Sequence, residues 1–118
     1  MDEKKLYYSI REVSQMFNLN DSTLRYWEKE FPIINPRKNE KGTRFYKEED
    51  IEAVRIVHYL LKDQGLTLAG ARKKLRENKE GVIRQVEIVN RLKHIKAELL
   101  QLKEAFELID SRNPTPNT

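Results

Sequence analysis

An uninterrupted stretch from Val82 to Asp110, which contains neither proline nor glycine, most limits what this chain can fold into. Two apolar series within it each repeat every seven residues and interleave at spacings of four and three, like the a and d positions of a coiled coil. At about 1.5 Å per residue, the stretch predicts a helix about 43 Å long, too long for a small domain to cover. We therefore expect a partner chain along it, although packing on its own domain is the alternative. The expected dimerisation residues are Ile88, Leu92, Ile95, Leu99, Leu102, Phe106 and Ile109.

The composition indicates one small domain with an appended helix rather than a large globular core. Of the 118 residues, 36% are charged and 38% are hydrophobic, so much of the chain is solvated helix surface. Lysine and arginine outnumber aspartate and glutamate by 23 to 19, a mildly basic balance that permits nucleic-acid binding. The chain has no cysteine and no apolar run long enough to span a membrane. We expect a cytoplasmic, nucleoid-associated protein without a membrane partner.

The residues carry no constellation that indicates an enzyme or a metal site. The two histidines, His58 and His94, lie far from each other in the sequence and from any cluster of acids, so a structural or solvated role is the better interpretation. Because the chain has no cysteine, thiolate metal sites and cysteine nucleophiles are excluded. We expect no enzymatic activity and no cofactor.

Two short helices are predicted near the amino terminus. Ser9 and Glu12 form a capping box that starts the first helix at Ile10. Asn18 can take the left-handed conformation that ends it, and Asn20 can cap a second helix that runs over residues 21–30. Two helices joined by a tight turn predict a helix-turn-helix.

The second helix combines an apolar side with a polar side. At 100° per residue, Leu24, Trp27 and Phe31 fall together and are expected to pack inward. The other side carries groups suited to DNA: a guanidinium that can hold a guanine edge or a phosphate, and hydroxyls that can donate to phosphates. The sequence does not distinguish base contact from phosphate contact for the arginine. The expected DNA-binding residues here are Ser22, Thr23, Arg25, Tyr26 and Lys29.

A basic hairpin is predicted after this helix, because Pro32 and Pro36 exclude a helical conformation. We expect Ile33 and Ile34 in one strand, residues 43–46 in the other, and RKNEKG as the loop. Five basic residues and one acid lie between positions 37 and 47, which favours phosphate contact over an ordinary solvated turn. The expected DNA-binding residues are Arg37, Lys38, Lys41, Arg44 and Tyr46, with Tyr46 equally able to cap the core. Tyr8, before the first helix, is equally expected to contact a phosphate or to pack as an aromatic residue at the edge of the core.

Two further helices are expected to complete the domain. The first lies in EEDIEAVRIVHYLLKDQG and ends at Gly65 as a C-cap. The second is capped by Thr67 and ends before Gly81, which is expected to break the chain. These boundaries predict a DNA-binding domain over residues 1–79, a coiled-coil helix over 80–111 and a disordered tail over 112–118.

These elements in this order resemble the MerR family of bacterial transcription regulators. The resemblance lies in YSIREVSQMFNLNDSTLRYWE, best matched from Thr23 to Tyr26, and in PRKNEKGTRFY, where Gly42, Arg44 and Tyr46 match. EEDI and DQGLTLAGARKKL also fit, so roughly residues 7–77 are covered. The chain departs from the family at Asn18, where glycine is usual. It is also too short after the coil for an effector-binding domain, so a short form is expected.

The resemblance implies a mainly α fold: a winged helix-turn-helix domain, with a β-hairpin wing and two further helices, followed by a long C-terminal coiled-coil helix that dimerises. It implies an antiparallel coil, an orientation that the charges beside the apolar series leave open. The implied function is a homodimeric, sequence-specific regulator that binds double-stranded DNA at a near-palindromic operator, distorts promoter DNA and works with RNA polymerase. Two alternatives stay open: an architectural or excisionase-like DNA-binding accessory factor, and a coiled-coil adaptor that recruits another protein.

Overall fold

The computed structural model describes residues 5–112 and confirms the predicted mainly α, winged helix-turn-helix fold with a long C-terminal helix. The chain divides into two compact units, one ending at Ile83 and one beginning at Arg84. A π-helical turn follows the third helix. The elements in chain order are α1 (Ile10–Met16), α2 (Asp21–Glu30), β1 (Arg37–Lys38), β2 (Arg44–Phe45), α3 (Glu48–His58), the π-helical turn (Tyr59–Asp63) and α4 (Leu68–Arg112).

The connection between α1 and α2 is fixed by local hydrogen bonds. The capping box is confirmed: the Ser9 hydroxyl accepts from the Glu12 N–H at 3.1 Å, and the Glu12 carboxylate accepts from the Ser9 N–H at 3.0 Å. Asn18 has a φ of 55°, the left-handed conformation predicted for it. Ser14 is buried and places its hydroxyl 2.6 Å from the Asp21 carboxylate, which ties α1 to the first turn of α2.

Helix α2 begins and ends where the sequence predicted, with one difference in its cap. Asn20 occupies the N-cap position but its side chain makes no capping hydrogen bond, so that part of the prediction was wrong. The inward packing is confirmed, since Leu24, Trp27 and Phe31 are each at most 4% exposed. The helix is therefore held by its buried side and by Asp21, rather than by a side-chain cap.

The first strand of the hairpin lies later in the sequence than expected. Ile33 and Ile34 belong to no strand; β1 consists of Arg37–Lys38, paired antiparallel with Arg44–Phe45. The Ile34 N–H donates to the Phe31 carbonyl at 3.0 Å, which closes a tight turn at Pro32, and Ile34 is then buried at 1% exposure. The tight turn at Pro32 and Ile33 replaces the extended conformation that was predicted there.

The tip of the hairpin is organised by one asparagine and one glycine. The Asn39 side-chain oxygen accepts from the Lys41 N–H at 3.0 Å and from the Thr43 N–H at 2.9 Å. Gly42 has a φ of 81°, which a residue with a Cβ rarely adopts. At the base of the hairpin, Tyr8 and Tyr46 exchange two backbone hydrogen bonds of 2.8 and 2.9 Å, so the segment before α1 pairs with the chain just after β2.

The remaining helices close the core of the first unit. Helix α3 buries Ile51, Val54 and Val57, and the π-helical turn after it buries Leu60. Gly65 follows with a φ of 66°, as expected for a residue just past a helix end, and the Leu66 N–H donates back to the Leu60 carbonyl at 3.0 Å. The Thr67 cap is confirmed by its hydroxyl, which accepts from the Gly70 N–H at 3.0 Å.

The interruption within α4 lies at Asn78 rather than at Gly81. Asn78 has a φ of −151° and a ψ of 59°, whereas Gly81 is helical. The Asn78 side-chain oxygen accepts from the Gly81 N–H at 3.2 Å, so it caps the helical segment that follows. A Cβ at Gly81 would lie 2.3–2.7 Å from the Asn78 side chain, so the glycine makes room for the cap. The prediction of a break at Gly81 was therefore wrong by three residues.

The second unit consists of the helix from Arg84 onward. Arg112 belongs to this helix, and residues 113–118 of the predicted tail lie outside the described residues. The predicted domain boundary after residue 79 stays a prediction.

Candidate nucleic-acid interface

The polar side of α2 presents its cations and hydroxyls to solvent. Ser22, Arg25, Tyr26 and Lys29 are exposed, and the Tyr26 side chain is 47% exposed although it is a large aromatic residue. Within residues 5–112, neither Arg25 nor Lys29 forms an ion pair or a side-chain hydrogen bond. Thr23 is half-buried. This side of α2 therefore offers two unneutralised cations and two hydroxyls to a ligand.

The hairpin adds a second pair of exposed cations. Arg37 and Lys41 are both exposed and make no side-chain ion pair among the described residues. Glu40 is exposed at the tip between them. The hairpin therefore presents one free cation on its first strand and one in its turn.

The other two hairpin cations form ion pairs with an acid of α2. Glu28 of α2 lies between them: one carboxylate oxygen is 2.7 Å from the Arg44 Nε and the other is 2.6 Å from the Lys38 Nζ. The Glu28 side chain is 11% exposed, the Arg44 side chain 19% and the Lys38 side chain 46%. Lys38 and Arg44 therefore fix the hairpin to α2, a role that the sequence did not indicate for them.

The titration of Glu28 reflects this arrangement. Burial raises the pKa of the carboxyl, but the hydrogen bonds from Lys38 and Arg44 outweigh burial and hold the pKa below its ordinary value. Glu28 is thus a charged group that joins the two candidate DNA-binding elements. Sequence reasoning missed it, because its partners lie 10 and 16 residues further along the chain.

Tyr46 belongs to the core rather than to the exposed surface. Its side chain is completely buried, and among the described residues its hydroxyl has no hydrogen-bond partner. Burial raises the pKa of this hydroxyl. The expectation that Tyr46 donates to a phosphate does not agree with this structure, because the hydroxyl does not reach the surface. Tyr8 is half-buried, and the Lys5 ammonium lies 5.3 Å from the centre of its ring.

Two aromatic residues that the sequence did not single out lie at the base of the hairpin. Tyr7 and Phe45 pack edge to face with ring centres 6.0 Å apart. Together with Arg37 and Lys38 they line a shallow cavity of about 290 Å³. A general signal for such sites is the interleaving of aromatic and basic residues, which the sequence has in RFYK at residues 44–47.

The seven expected dimerisation residues are all exposed in the single chain. Their exposed fractions range from 48% for Ile95 to 60% for Ile88. Two further leucines of the same helix, Leu100 and Leu108, are 49% and 55% exposed although they lie outside the two heptad series.

Residues 5–112 contain no group of three or more histidine, aspartate or glutamate side chains that could hold a metal ion. Within the same range, no helix is long and apolar enough to cross a membrane.

Comparison with protein families gives a match over most of the first unit. A family model described as MerR HTH family regulatory protein matches residues 8–78. The transcriptional repressor CarA of Myxococcus xanthus is 35% identical over 63 residues, which are 52% of this chain and 22% of CarA. The chain therefore spans about a fifth of the length of that curated relative.

Solved structures show the same fold. The crystal structure of HiNmlR, a MerR family regulator lacking the sensor domain, bound to promoter DNA, covers 91% of this chain and 87% of its own, with a TM-score of 0.52 at 20% identity. A MerR family regulator from Bacillus cereus covers 95% of this chain and 88% of its own, with a TM-score of 0.52 at 19% identity. At these identities the likeness concerns the fold alone.

Proposed function

The chain belongs to the MerR family of helix-turn-helix regulatory proteins, and we propose that it is a dimeric transcriptional regulator that binds a near-palindromic operator in double-stranded DNA. The observation that carries this proposal is the exposed side of α2. There, Arg25 and Lys29 stand without acidic partners among the described residues, beside the hydroxyls of Ser22 and Tyr26. Such a side fits the major groove, which admits one α-helix.

The groups on α2 divide between specificity and affinity in this proposal. Arg25 can donate two parallel hydrogen bonds to a guanine edge or hold a phosphate, whereas Ser22 and Tyr26 are placed to donate to phosphates. Lys29 adds a cation one turn further along the same side. Contacts to phosphates supply most of the affinity and depend on salt, while a guanine contact would add sequence choice.

The hairpin serves as the wing of the same interface. Arg37 and Lys41 are its free cations, so we expect them to contact the backbone beside the groove that holds α2. Lys38 and Arg44 act chiefly through Glu28, which holds the wing against α2. The position of the wing relative to α2, the recognition helix of this proposal, is thus set before DNA binds, and less conformational entropy is lost on binding.

Dimerisation through the C-terminal helix completes the proposal. The exposed a and d residues, from Ile88 to Ile109, would bury their apolar surface against a second chain. A symmetric dimer presents two copies of α2 and so recognises two inverted half-sites. Distortion of promoter DNA, and the approach of RNA polymerase to it, would then require the backbone contacts of both wings to offset the energy of deformation.

Selection of bound duplexes from a random pool, with the purified protein at moderate salt, tests this proposal directly. Two inverted half-sites with a fixed spacing are expected in the recovered motif. Salt-sensitive binding without a motif would instead identify an architectural or excisionase-like accessory factor. If the protein bound no DNA, the coil would be its main functional surface, which would favour a coiled-coil adaptor that recruits another protein.

Arg25→Ala provides the informative variant in the same selection, with Arg11→Ala as a matched control. Arg11 is an exposed arginine of α1 that was not placed in the interface. Loss of a guanine preference at one position of each half-site would assign Arg25 a base contact, worth about 1–3 kcal/mol. Uniform weakening across all sequences would assign it a phosphate contact.

A further inference from the structure

A second basic surface lies within the first unit, between the end of α2 and the first part of α4. It is an open groove with a volume of about 520 Å³. Its lining has an apolar part, called the floor, formed by Pro32, Ile33 and Leu75, and a basic part formed by Arg72, Arg76 and Lys79; Phe31 and the acid Glu30 complete it. Pro32 is exposed, and Ile33 and Leu75 are half-buried, so apolar surface remains accessible to a ligand. These eight residues form the basic groove.

The charge of the basic groove is concentrated and largely unneutralised. Three basic residues and one acid, Glu30, line the groove, a net charge of 3 − 1 = +2. Arg72 forms an ion pair with Glu30, at the end of α2. Arg76 and Lys79 are exposed and make no ion pair with any other described residue. Two free cations therefore stand at the edge of an apolar floor.

Free cations beside an apolar floor restrict the chemistry of the ligand that the groove can bind. A DNA backbone would satisfy Arg76 and Lys79, but it would leave the apolar floor in contact with polar, hydrated groups. A ligand that carries both carboxylates and an apolar side chain satisfies both parts of the groove. The groove is open rather than enclosed, which suits an extended or helical protein segment better than a small molecule that must be surrounded.

We propose that the basic groove docks an acidic segment of a partner protein, with one aliphatic or aromatic side chain on Pro32, Ile33 and Leu75 and carboxylates on Arg76 and Lys79. Arg72 is shared in this arrangement, because a partner carboxylate competes with Glu30 for the guanidinium. Docking would then reach the end of the recognition helix directly. The inference concerns a surface separate from the residues proposed to contact DNA, and it adds a protein partner to the proposed function.

The test is a selection of displayed random peptides, about a dozen residues long, on the purified full-length protein. The enriched peptides are then synthesised and their affinities measured by fluorescence anisotropy. Peptides with a net negative charge and at least one apolar residue are expected. Neutral or basic consensus peptides, or no enrichment at all, would overturn the proposal.

Two matched double variants separate the basic groove from general electrostatic attraction. Arg76→Gln with Lys79→Gln removes the free cations of the groove, while Arg37→Gln with Lys41→Gln removes the same charge from the wing. The groove pair should weaken peptide binding about tenfold and the wing pair less than about twofold, because close charge pairs contribute far more than distant ones. Equal losses would overturn the proposal. Ile33→Ser tests the floor, and unchanged peptide affinity in that variant would also count against it.

DNA binding by the same variants keeps this inference apart from the proposed function. The wing pair should lose most of its DNA affinity and the groove pair should lose little. If both pairs lost DNA affinity equally, the groove cations would belong to the DNA interface and the docking proposal would fail. If the unaltered protein bound no DNA while the groove-dependent peptides still bound, the proposed function would fail and the docking site would stand.

Discussion

Replacement of Glu28 by glutamine should loosen the wing from the recognition helix. Glu28→Gln keeps the size and shape of the side chain but removes the charge that holds the Arg44 Nε at 2.7 Å and the Lys38 Nζ at 2.6 Å. An amide oxygen can still accept one of these hydrogen bonds. The change therefore measures the charge of the carboxylate rather than its volume.

The magnitude follows from the exposure of the three side chains. Lys38 is 46% exposed, so its pair with Glu28 is expected to contribute no more than about 0.5 kcal/mol. Arg44 and Glu28 are 19% and 11% exposed, so their hydrogen bond is a charge-assisted one of about 1.5 kcal/mol. We expect Glu28→Gln to lower the free energy of unfolding by about 1–2 kcal/mol, which for a unit of this size lowers the melting temperature by roughly 4–15 °C.

A double-mutant cycle isolates the pair from other effects of each substitution. Urea unfolding of the unaltered protein, Glu28→Gln, Arg44→Gln and the double variant at pH 7 should give a coupling free energy of about 1 kcal/mol. The control cycle pairs Glu28→Gln with Arg37→Gln, whose guanidinium makes no ion pair with Glu28, and should give a coupling near zero. A coupling between Glu28 and Arg44 as small as that of the control would refute the reasoning.

The pH dependence of the stability difference between the unaltered protein and Glu28→Gln provides an independent check. The pKa of Glu28 is lowered in the folded protein, so its stabilising contribution is present above the ordinary value of 4.5. That contribution is lost as the pH falls through the lower, folded-state pKa. The stability difference between the unaltered protein and Glu28→Gln should therefore be constant near neutral pH and shrink in acid. A difference that grew in acid would contradict the sign of the shift.

Four further changes have defined outcomes. Leu99→Asp should convert the protein to a monomer in light scattering, whereas Leu108→Asp, outside the heptad series, should remain dimeric; a dimeric Leu99→Asp would exclude the coil as the interface. Tyr46→Phe should raise the free energy of unfolding in urea by up to about 1 kcal/mol with unchanged DNA affinity, because the hydroxyl is buried without a partner; weaker DNA binding would restore Tyr46 to the interface. Asn78→Ala should lower stability by about 1 kcal/mol, while Asn78→Asp, which keeps the cap, should not. Arg37→Ala should reduce the slope of log affinity against log salt by about one, and an unchanged slope would exclude its phosphate contact.

The helices were predictable because their signals are local. The capping box at Ser9 and Glu12, the left-handed Asn18 and the glycine at position 65 each act within one turn of the chain, and the structure has all of them in place. The apolar phase of α2 was predictable for the same reason, since Trp27 and its neighbours need only a helical period to fall on one side. Such features follow from a short window of sequence.

The hairpin and the break in α4 were less predictable because competing local structures decided them. Ile33 and Ile34 have the β-branched side chains that favour strands, yet a turn and burial of Ile34 compete with pairing and prevail. Gly81 is a familiar helix breaker, but the asparagine three residues earlier provides a cap that ends one helical segment and starts the next. In both cases the neighbours of a residue, rather than its type alone, determine the local structure.

The charges of α2 are separated by folding in a way that their sum along the sequence does not show. Its three acids outnumber its two bases, so the helix as a whole carries a negative formal charge. Asp21 accepts from a hydroxyl of α1, Glu28 binds two cations of the wing, and Glu30 binds an arginine of α4. Each acid is therefore used to hold a neighbouring element, while Arg25 and Lys29 remain exposed without acidic partners among the described residues. The solvent side of α2 is positive because each of its acids is paired with a residue of another element in the folded protein. The sum of the charges along the sequence does not show this separation.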